Sequence, residues 1–285
     1  MKLINQFGTN GKGPGEMLKP YDLFIMNNNI FISDSWQKKI LQFTLDGKFI
    51  KDIFLEKGQL PQSTTNISNG KSVAILWRYF EKGKKVLMEF ELTLLDKDFK
   101  KIKTLNSISK EYNPKNWDNE DFSTRFTVGN NEIFVAEIDD ANYKIKVFDF
   151  DGNFKHIISK QYRKVNFNKV ESKDYLEFIK KHTNERSTVD LSKIRYKKAI
   201  RGLYYDKNMG YLIVKKATER DPSNQYDFIV DIFKDGVFLK EVNFTKDYES
   251  FYKEAESNLY VIFINNSFYA IDEDNMIINK YKLKQ

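Results

Sequence analysis

This sequence predicts an all-β fold, a β-propeller of four-stranded antiparallel blades, on three observations. Aromatic residues make up 15% of the 285 residues and are spread along the whole chain, as strands with one buried face require. A pattern of apolar strand, polar loop, second strand, acidic turn and third strand recurs five times. Only 5 Pro and 13 Gly interrupt the pattern, and no Ser/Gly/Pro-rich linker divides it, so one domain over residues 1–285 is expected. Repeats of roughly 40 to 50 residues that read as four strands are what propeller blades look like in sequence.

The clearest copy sets the template. Ile30, Phe31 and Ile32 form one strand, Ile40, Leu41 and Phe43 the next, Asp46-Gly47 the hairpin turn, and Phe49, Ile50 and Ile53 the last. Asp-Gly between apolar alternations is a strong hairpin signal, because the turn needs positive φ angles that Gly accepts cheaply. A later copy repeats it with Asp151-Gly152. Looser copies carry Asp96-Lys97, Asp235-Gly236, and a final turn of Asp272, Glu273, Asp274 and Asn275. Phe49, Phe99, Phe154 and Phe238 read as equivalent positions, and the long interval after Phe154 predicts an insertion at about 159–201. Within it Ser172 is placed to cap a helix whose Tyr175, Leu176, Phe178 and Ile179 form one apolar face. Such a helix either seals a blade junction or acts as a partner-binding lid.

Composition narrows the chemistry. The chain has no cysteine, which removes disulfides, thiolate zinc sites and a Cys nucleophile. His156 and His182 fit no metal-ligand spacing. We therefore predict no metal and no cofactor, although a site made of carboxylates and carbonyls stays open. No apolar run approaches the roughly 20 residues that span a bilayer, and the first residues lack the apolar region of a signal peptide. The net charge of +7, from 47 Lys and Arg against 40 Asp and Glu, suits an acidic partner, but charges of both signs are interspersed as on an ordinary solvated surface.

The first 55 residues carry a phrase that resembles the NHL-repeat proteins, and more closely the bacterial six-bladed β-propellers. The matching positions are Gly8, Gly11, Gly13, Pro14, Gly15, Glu16, Pro20, Asp34, Lys39, Ile40, Phe43 and Gly47. The resemblance implies six blades, whereas counting repeats gives five plus one strand, Leu3 to Phe7, so five blades remains open. That strand belongs either to an incomplete first repeat or to a ring-closing blade. The resemblance also implies an exported or periplasmic protein without an assigned activity. Relatives bind proteins or RNA, and a few are lyases or lactonases.

Blade geometry sorts the loops. With strands a to d antiparallel, the d-to-a and b-to-c connections leave one face and the Asp-Gly turns leave the other. The first face collects Gly13, Pro14, Gly15 and Glu16, the loops holding Trp36 and Arg220, the segment from Trp77 to Lys85, and the insertion. Asp34 and Lys39 flank the Trp36 loop, where an ion pair between them is expected. Arg78 and Tyr79 lie in a stretch that mixes aromatic and basic side chains, the chemistry of stacking on bases and neutralising phosphates. The alternative for that stretch is that the aromatics continue strand b while the lysines stay solvated. No nucleophile-base pair is locatable from spacing. The sequence thus predicts a non-catalytic binding or scaffold propeller for a protein, peptide or glycan ligand, with Trp36, Arg78, Tyr79 and Arg220 as ligand-binding candidates. A lyase or lactonase-like hydrolase, or an RNA-binding propeller, is the alternative.

Overall fold

The computed structural model describes residues 7–55, 60–68, 70–112, 124–173, 177, 196–219 and 229–243, together with the backbone of three C-terminal strands. The chain divides into two compact units, Met1–Tyr112 with Phe150–Asn153, and Asn113–Asp149 with Phe154–Gln285.

The first unit opens with two short parallel strands, β1 (Thr9–Asn10) and β2 (Glu16–Met17). Two four-stranded sheets follow. One contains β3 (Pro20–Met26), β4 (Asn29–Asp34), β5 (Lys39–Thr44) and β6 (Phe49–Phe54), and the other β7 (Gln62–Asn66), β8 (Ser72–Lys82), β9 (Lys85–Leu95) and β10 (Lys101–Glu111). In the second unit β11 (Phe126–Gly129), β12 (Glu132–Ala136), β13 (Tyr143–Asp149) and β14 (Phe154–Lys160) form one sheet. β15 (Ile200–Asp206), β16 (Tyr211–Lys216), β17 (Ile229–Lys234) and β18 (Val237–Asn243) form the next. β19 (Leu259–Ile264), β20 (Ser267–Asp272) and β21 (Ile277–Lys282) make a three-stranded sheet.

Every four-stranded sheet is an antiparallel meander in sequence order. The reason is local, since most neighbouring pairs are joined by a short connection and bury the apolar half of a two-residue alternation. The first strands pack side by side within each unit, β3 with β7 and β11 with β15. Fourth strands lie at the rim, where β18 is exposed at nearly every position. Cores form between sheets: Phe24, Met26, Phe31 and Ile40 meet Ala74, Leu76, Leu95 and Phe99 in the first unit, and Phe134, Ile145 and Val147 meet Leu203, Leu212 and Val214 in the second. Each fully buried side chain of this size contributes roughly 1.5 to 3 kcal/mol.

The turns confirm the template and correct its register. Gly47 and Gly152 take φ of +83° and +75°, and Asp235 and Gly236 take +49° and +78° in a two-residue hairpin. In the second sheet the Gly47 position is filled by Phe99, φ +59°. The same pair of backbone bonds closes both turns, Thr44 with Gly47 and Lys48 in one and Asp96 with Phe99 and Lys100 in the other. Phe99 therefore corresponds to Gly47 and not to Phe49. Its strained backbone is held by edge-on contacts with Phe24 and Phe31 at 5.6 and 5.4 Å, and by Asp96, which accepts the N–H groups of Asp98 and Lys100.

The segment from Trp77 to Lys85 is not a loop. β8 and β9 run 11 residues each and turn only at Gly83-Lys84, so the aromatics continue strand b. The insertion also differs from expectation at its cap. Helix occupies 169–173, and Asn168 caps it: Asn168 Oδ1 accepts the Glu171 N–H at 2.9 Å, and Glu171 Oε2 accepts the Asn168 N–H at 3.0 Å. This reciprocal pair is a capping box. Ser172 lies inside the helix and its hydroxyl donates back to the Asn168 carbonyl at 2.8 Å. The expected apolar face, Tyr175, Leu176, Phe178 and Ile179, falls outside the described residues, as do Leu3 and Ile4 of the closing strand and the final acidic turn.

Candidate functional site

In each meander the b-to-c connection leaves the same end as the start of strand a. At that end of the second unit three cations come together. Arg125 immediately precedes β11, Arg201 is the second residue of β15, and Lys215 on β16 stands opposite Gly202. A register shift between Ile200 and Gly202 takes Arg201 out of the ladder, the usual way in which a bulge re-aims a side chain. Burial, and then the positive charges of Arg201 and Arg125, push the Lys215 ammonium down to about 8. Like charges gathered in a half-buried place raise the local positive potential.

The base of the insertion frames this cluster. Asn166 and Tyr196 form an antiparallel bridge that closes its two ends. The Lys197 N–H donates to the Val165 carbonyl at 2.8 Å, Ala199 N–H to Asp139 O at 2.8 Å, and Ala217 N–H to Ala199 O at 3.0 Å. Side chains add to the seam. Lys197, only 3% exposed, donates to the Thr218 carbonyl at 2.7 Å and pairs with Glu171 of the capping box, while Lys164 reaches Asp140 at 3.1 Å. Asp139 and Asp140 belong to the b-to-c connection of one sheet and Thr218 to that of the next. The insertion is thus tied to the loops at the cationic end.

Between the same two sheets Asp231 is fully buried and pairs with Lys160 at 2.9 Å and Lys216 at 3.6 Å. Burial, and then the charge of Asp231, push the nearby Tyr143 phenol far up. This group braces two sheets; Lys216 also pairs with Glu241, and Lys160 Nζ lies 3.8 Å from the centre of the Phe238 ring.

The residues singled out from sequence distribute as follows. Trp36 is 68% exposed, with Lys19 Nζ 5.8 Å from its ring. Arg78 is paired with Glu89, both Nε and a terminal nitrogen lying within 2.7 Å of one carboxylate oxygen. Tyr79, 46% exposed, packs edge-on against Tyr112 at 4.8 Å and against Trp77 at 5.5 Å. Arg220 lies outside the described residues. Within the first unit Trp36 and the far end of the β8–β9 hairpin both leave through b-to-c connections.

The motif residues build the loop next to Trp36. Gly13, Pro14, Gly15 and Glu16 form a turn closed by the Glu16 N–H on the Gly13 carbonyl at 3.1 Å, with Gly15 at φ +74°, as a type II turn demands of its third residue. The Glu16 carboxylate accepts the Gly13 N–H at 2.6 Å. Asp34 and Lys39 are opposite each other in the ladder but are not an ion pair. Asp34, without exposed surface, accepts the backbone N–H groups of Leu18, Lys19, Trp36 and Gln37 and the Gln37 amide. Lys39 turns to Asp52 at 3.0 Å and to the Gly13 carbonyl at 3.2 Å. The physical reason is donor supply: the loop offers a ring of N–H groups that satisfies a carboxylate without a cation.

Arg125, Arg201, Lys197 and Lys215 were not identified from sequence. A signal existed, since Lys215 breaks the apolar run Leu212-Ile213-Val214 and each arginine stands at the threshold of an apolar strand. Their meeting depends on adjacent sheets placing their first strands together. No group of three or more His, Asp or Glu suited to a metal ion occurs among the described residues. Among the same residues no helix is long and apolar enough to cross a membrane.

Meandering four-stranded sheets with paired first strands define a β-propeller. The chain belongs to the DUF5128 family, described as a 6-bladed beta-propeller, whose family model matches residues 2–214. Among solved structures it is similar to a Bacteroides fragilis NCTC 9343 protein that carries a provisional designation as exported, with 15% identity over 94% of this chain and 70% of the other and a TM-score of 0.51. It is also similar to a DUF4221 member from Bacteroides vulgatus ATCC 8482 (10% identity, 95% and 81% covered, TM-score 0.47) and to virginiamycin B lyase from Staphylococcus aureus (15%, 94% and 71%, TM-score 0.40). No curated protein matches the chain.

Proposed function

We propose that this protein is a non-catalytic binding propeller that recognises an anionic protein, peptide or glycan through the face formed by the d-to-a and b-to-c connections. The observation that carries the proposal is the convergence of Arg125, Arg201 and Lys215 at the start of adjacent first strands. Loops and strand ends on a rigid scaffold are where recognition residues collect. Trp36, in a b-to-c connection, Tyr79, on strand β8, and Arg220, a candidate from sequence, are proposed as further ligand contacts; Arg78, held by Glu89, is the weakest of the four candidates. We also propose that both units belong to one propeller domain, which predicts a single cooperative unfolding transition; two separate transitions would divide them.

The test is binding of the full chain to immobilised heparin and poly-glutamate against neutral dextran, over a salt series. Retention that falls steeply with salt, and that drops at least tenfold in Arg125→Gln/Arg201→Gln, supports the proposal. Equal retention on dextran, or an unaffected double variant, overturns it. Preferential capture of single-stranded RNA, with a steep salt slope, would move the assignment to the nucleic-acid reading.

A second reading has one observation in its favour. A lysine whose ammonium sits near 8 is poised for general-base or nucleophilic chemistry, as a lyase or lactonase-like hydrolase could use. Turnover of a lactone panel that is abolished by Lys215→Met would establish it; absence of turnover in the wild type would retire it.

A further inference from the structure

The opposite end of the second unit holds a cavity of about 160 Å³ between the sheet of β11–β14 and the sheet of β15–β18. Glu132, at the start of β12, and Asp235, in the β17–β18 turn, line it together with Phe134, His156, Tyr205 and Asn130. The aromatic wall is built. Phe134 and Tyr205 stack with centroids 5.6 Å apart and planes within 14°, and the Tyr205 ring occupies the space a Cβ on Gly129 would need, 1.9 Å away. Any side chain at 129 displaces that ring.

The cavity is also electronegative. Burial, and then the charges of Glu132, Asp235 and Asp206, push the Tyr205 phenol up. Lys155 reaches Glu132, but among the described residues Asp235 has no ion pair and no side-chain hydrogen bond. Asp235, with φ +49°, sits in the turn between the largely buried β17 and the exposed β18. Two carboxylates and two aromatic rings lining one small cavity can bind a compact organic cation through charge-assisted hydrogen bonds and contact with the rings. At about 30 Å³ for each water-sized group, the cavity holds about five non-hydrogen atoms, the size of a short alkylamine.

We propose that this cavity is a binding site for an alkylammonium group, presented either by a free amine or by a lysine side chain of a peptide. It lies at the end of the sheets opposite the cationic cluster and stands or falls independently of that assignment.

The experiment is calorimetric titration of the full chain with n-butylamine, cadaverine and Nα-acetyl-lysine methylamide, with 1-pentanol as the neutral control. Saturable millimolar binding of n-butylamine, no binding of 1-pentanol, and at least tenfold weaker binding in Asp235→Asn support the site. Asn tolerates the left-handed backbone at 235, so this variant keeps the turn while removing the charge. Glu132→Gln is expected to weaken binding as well; should loss of the Lys155 pair lower its melting temperature, the Asp235→Asn result decides. Tighter binding of the lysine derivative assigns a peptide source, and tighter binding of the simple amines a free one. No saturable binding of any amine, equal binding of 1-pentanol, or unchanged affinity in Asp235→Asn overturns the proposal.

Discussion

Lys39 on β5 donates to Asp52 on β6 at 3.0 Å while only 1% of the lysine remains exposed. The same ammonium reaches the Gly13 carbonyl at 3.2 Å, so one buried cation ties the third and fourth strands of the sheet to the loop that precedes it. Removing one member of such a pair leaves the other charge buried and unanswered. Asp52 Oδ1 already lacks a partner among the described residues. We expect Lys39→Met to destabilise the protein by about 3 kcal/mol in urea unfolding, and Lys39→Met/Asp52→Leu to recover most of that loss. If the double variant is as unstable as the single, the pair is not the source of the effect.

Asp34 supplies a second, pH-dependent test. Burial alone raises its carboxyl, but the N–H groups of Leu18, Gln37 and Lys19 and the Gln37 amide outweigh it and hold the group below its ordinary value. A depressed folded-state carboxyl stabilises above its unfolded value, about 3.9, and that stabilisation is lost as pH falls through the folded value. Asp34→Asn should therefore cost about 2 kcal/mol at pH 7, and the gap to the wild type should narrow as pH falls below about 4. A gap independent of pH would mean that charge at Asp34 is irrelevant to its network.

Much of the fold was legible because its signals are local. The alternation around Ile30–Ile32 and Phe43, the Asp-Gly turns and the Gly13–Glu16 phrase each specify a backbone conformation within a few residues. What failed was pairing. Sequence paired Lys39 with Asp34, which does stand opposite it on one neighbouring strand; Asp52 lies on the other, and the ring of N–H groups around Asp34 decides between them. Phe99 was misplaced by two positions because a phenylalanine in a left-handed turn is legible only once its aromatic contacts are known. The cationic cluster was missed for the same reason: Arg125 and Lys215 are 90 residues apart in sequence and meet through the packing of two first strands.

The insertion offers a local check on the corrected cap. Asn168 and Glu171 exchange hydrogen bonds across the helix start, and loss of such a cap costs about 1 kcal/mol. Hydrogen exchange of the amides at 171–173 should accelerate about fivefold in Asn168→Ala and stay within twofold of wild type in Ser172→Ala. The reverse order would restore Ser172 as the cap.

Lys215 carries the prediction that bears most directly on the candidate site. Its folded value, about 8, lies below the ordinary lysine value near 10.4. Between these two pH values the unfolded chain binds more protons than the folded one, so this group makes stability rise with pH. Below about 8 the ammonium is charged in both states, and its penalty is fully present, roughly 2 to 3 kcal/mol after allowing for partial exposure. Lys215→Met, close in shape and without charge, should therefore be more stable than the wild type at pH 7 by up to about that amount, and its advantage should shrink between pH 8 and pH 10. Saturating heparin should reduce the advantage at pH 7 as well, because an anion that binds the folded cluster stabilises the wild type selectively. Equal stability of the two proteins at pH 7, or an advantage that ignores both pH and polyanion, would remove Lys215 from the anion site and leave Arg125 and Arg201 to form it alone.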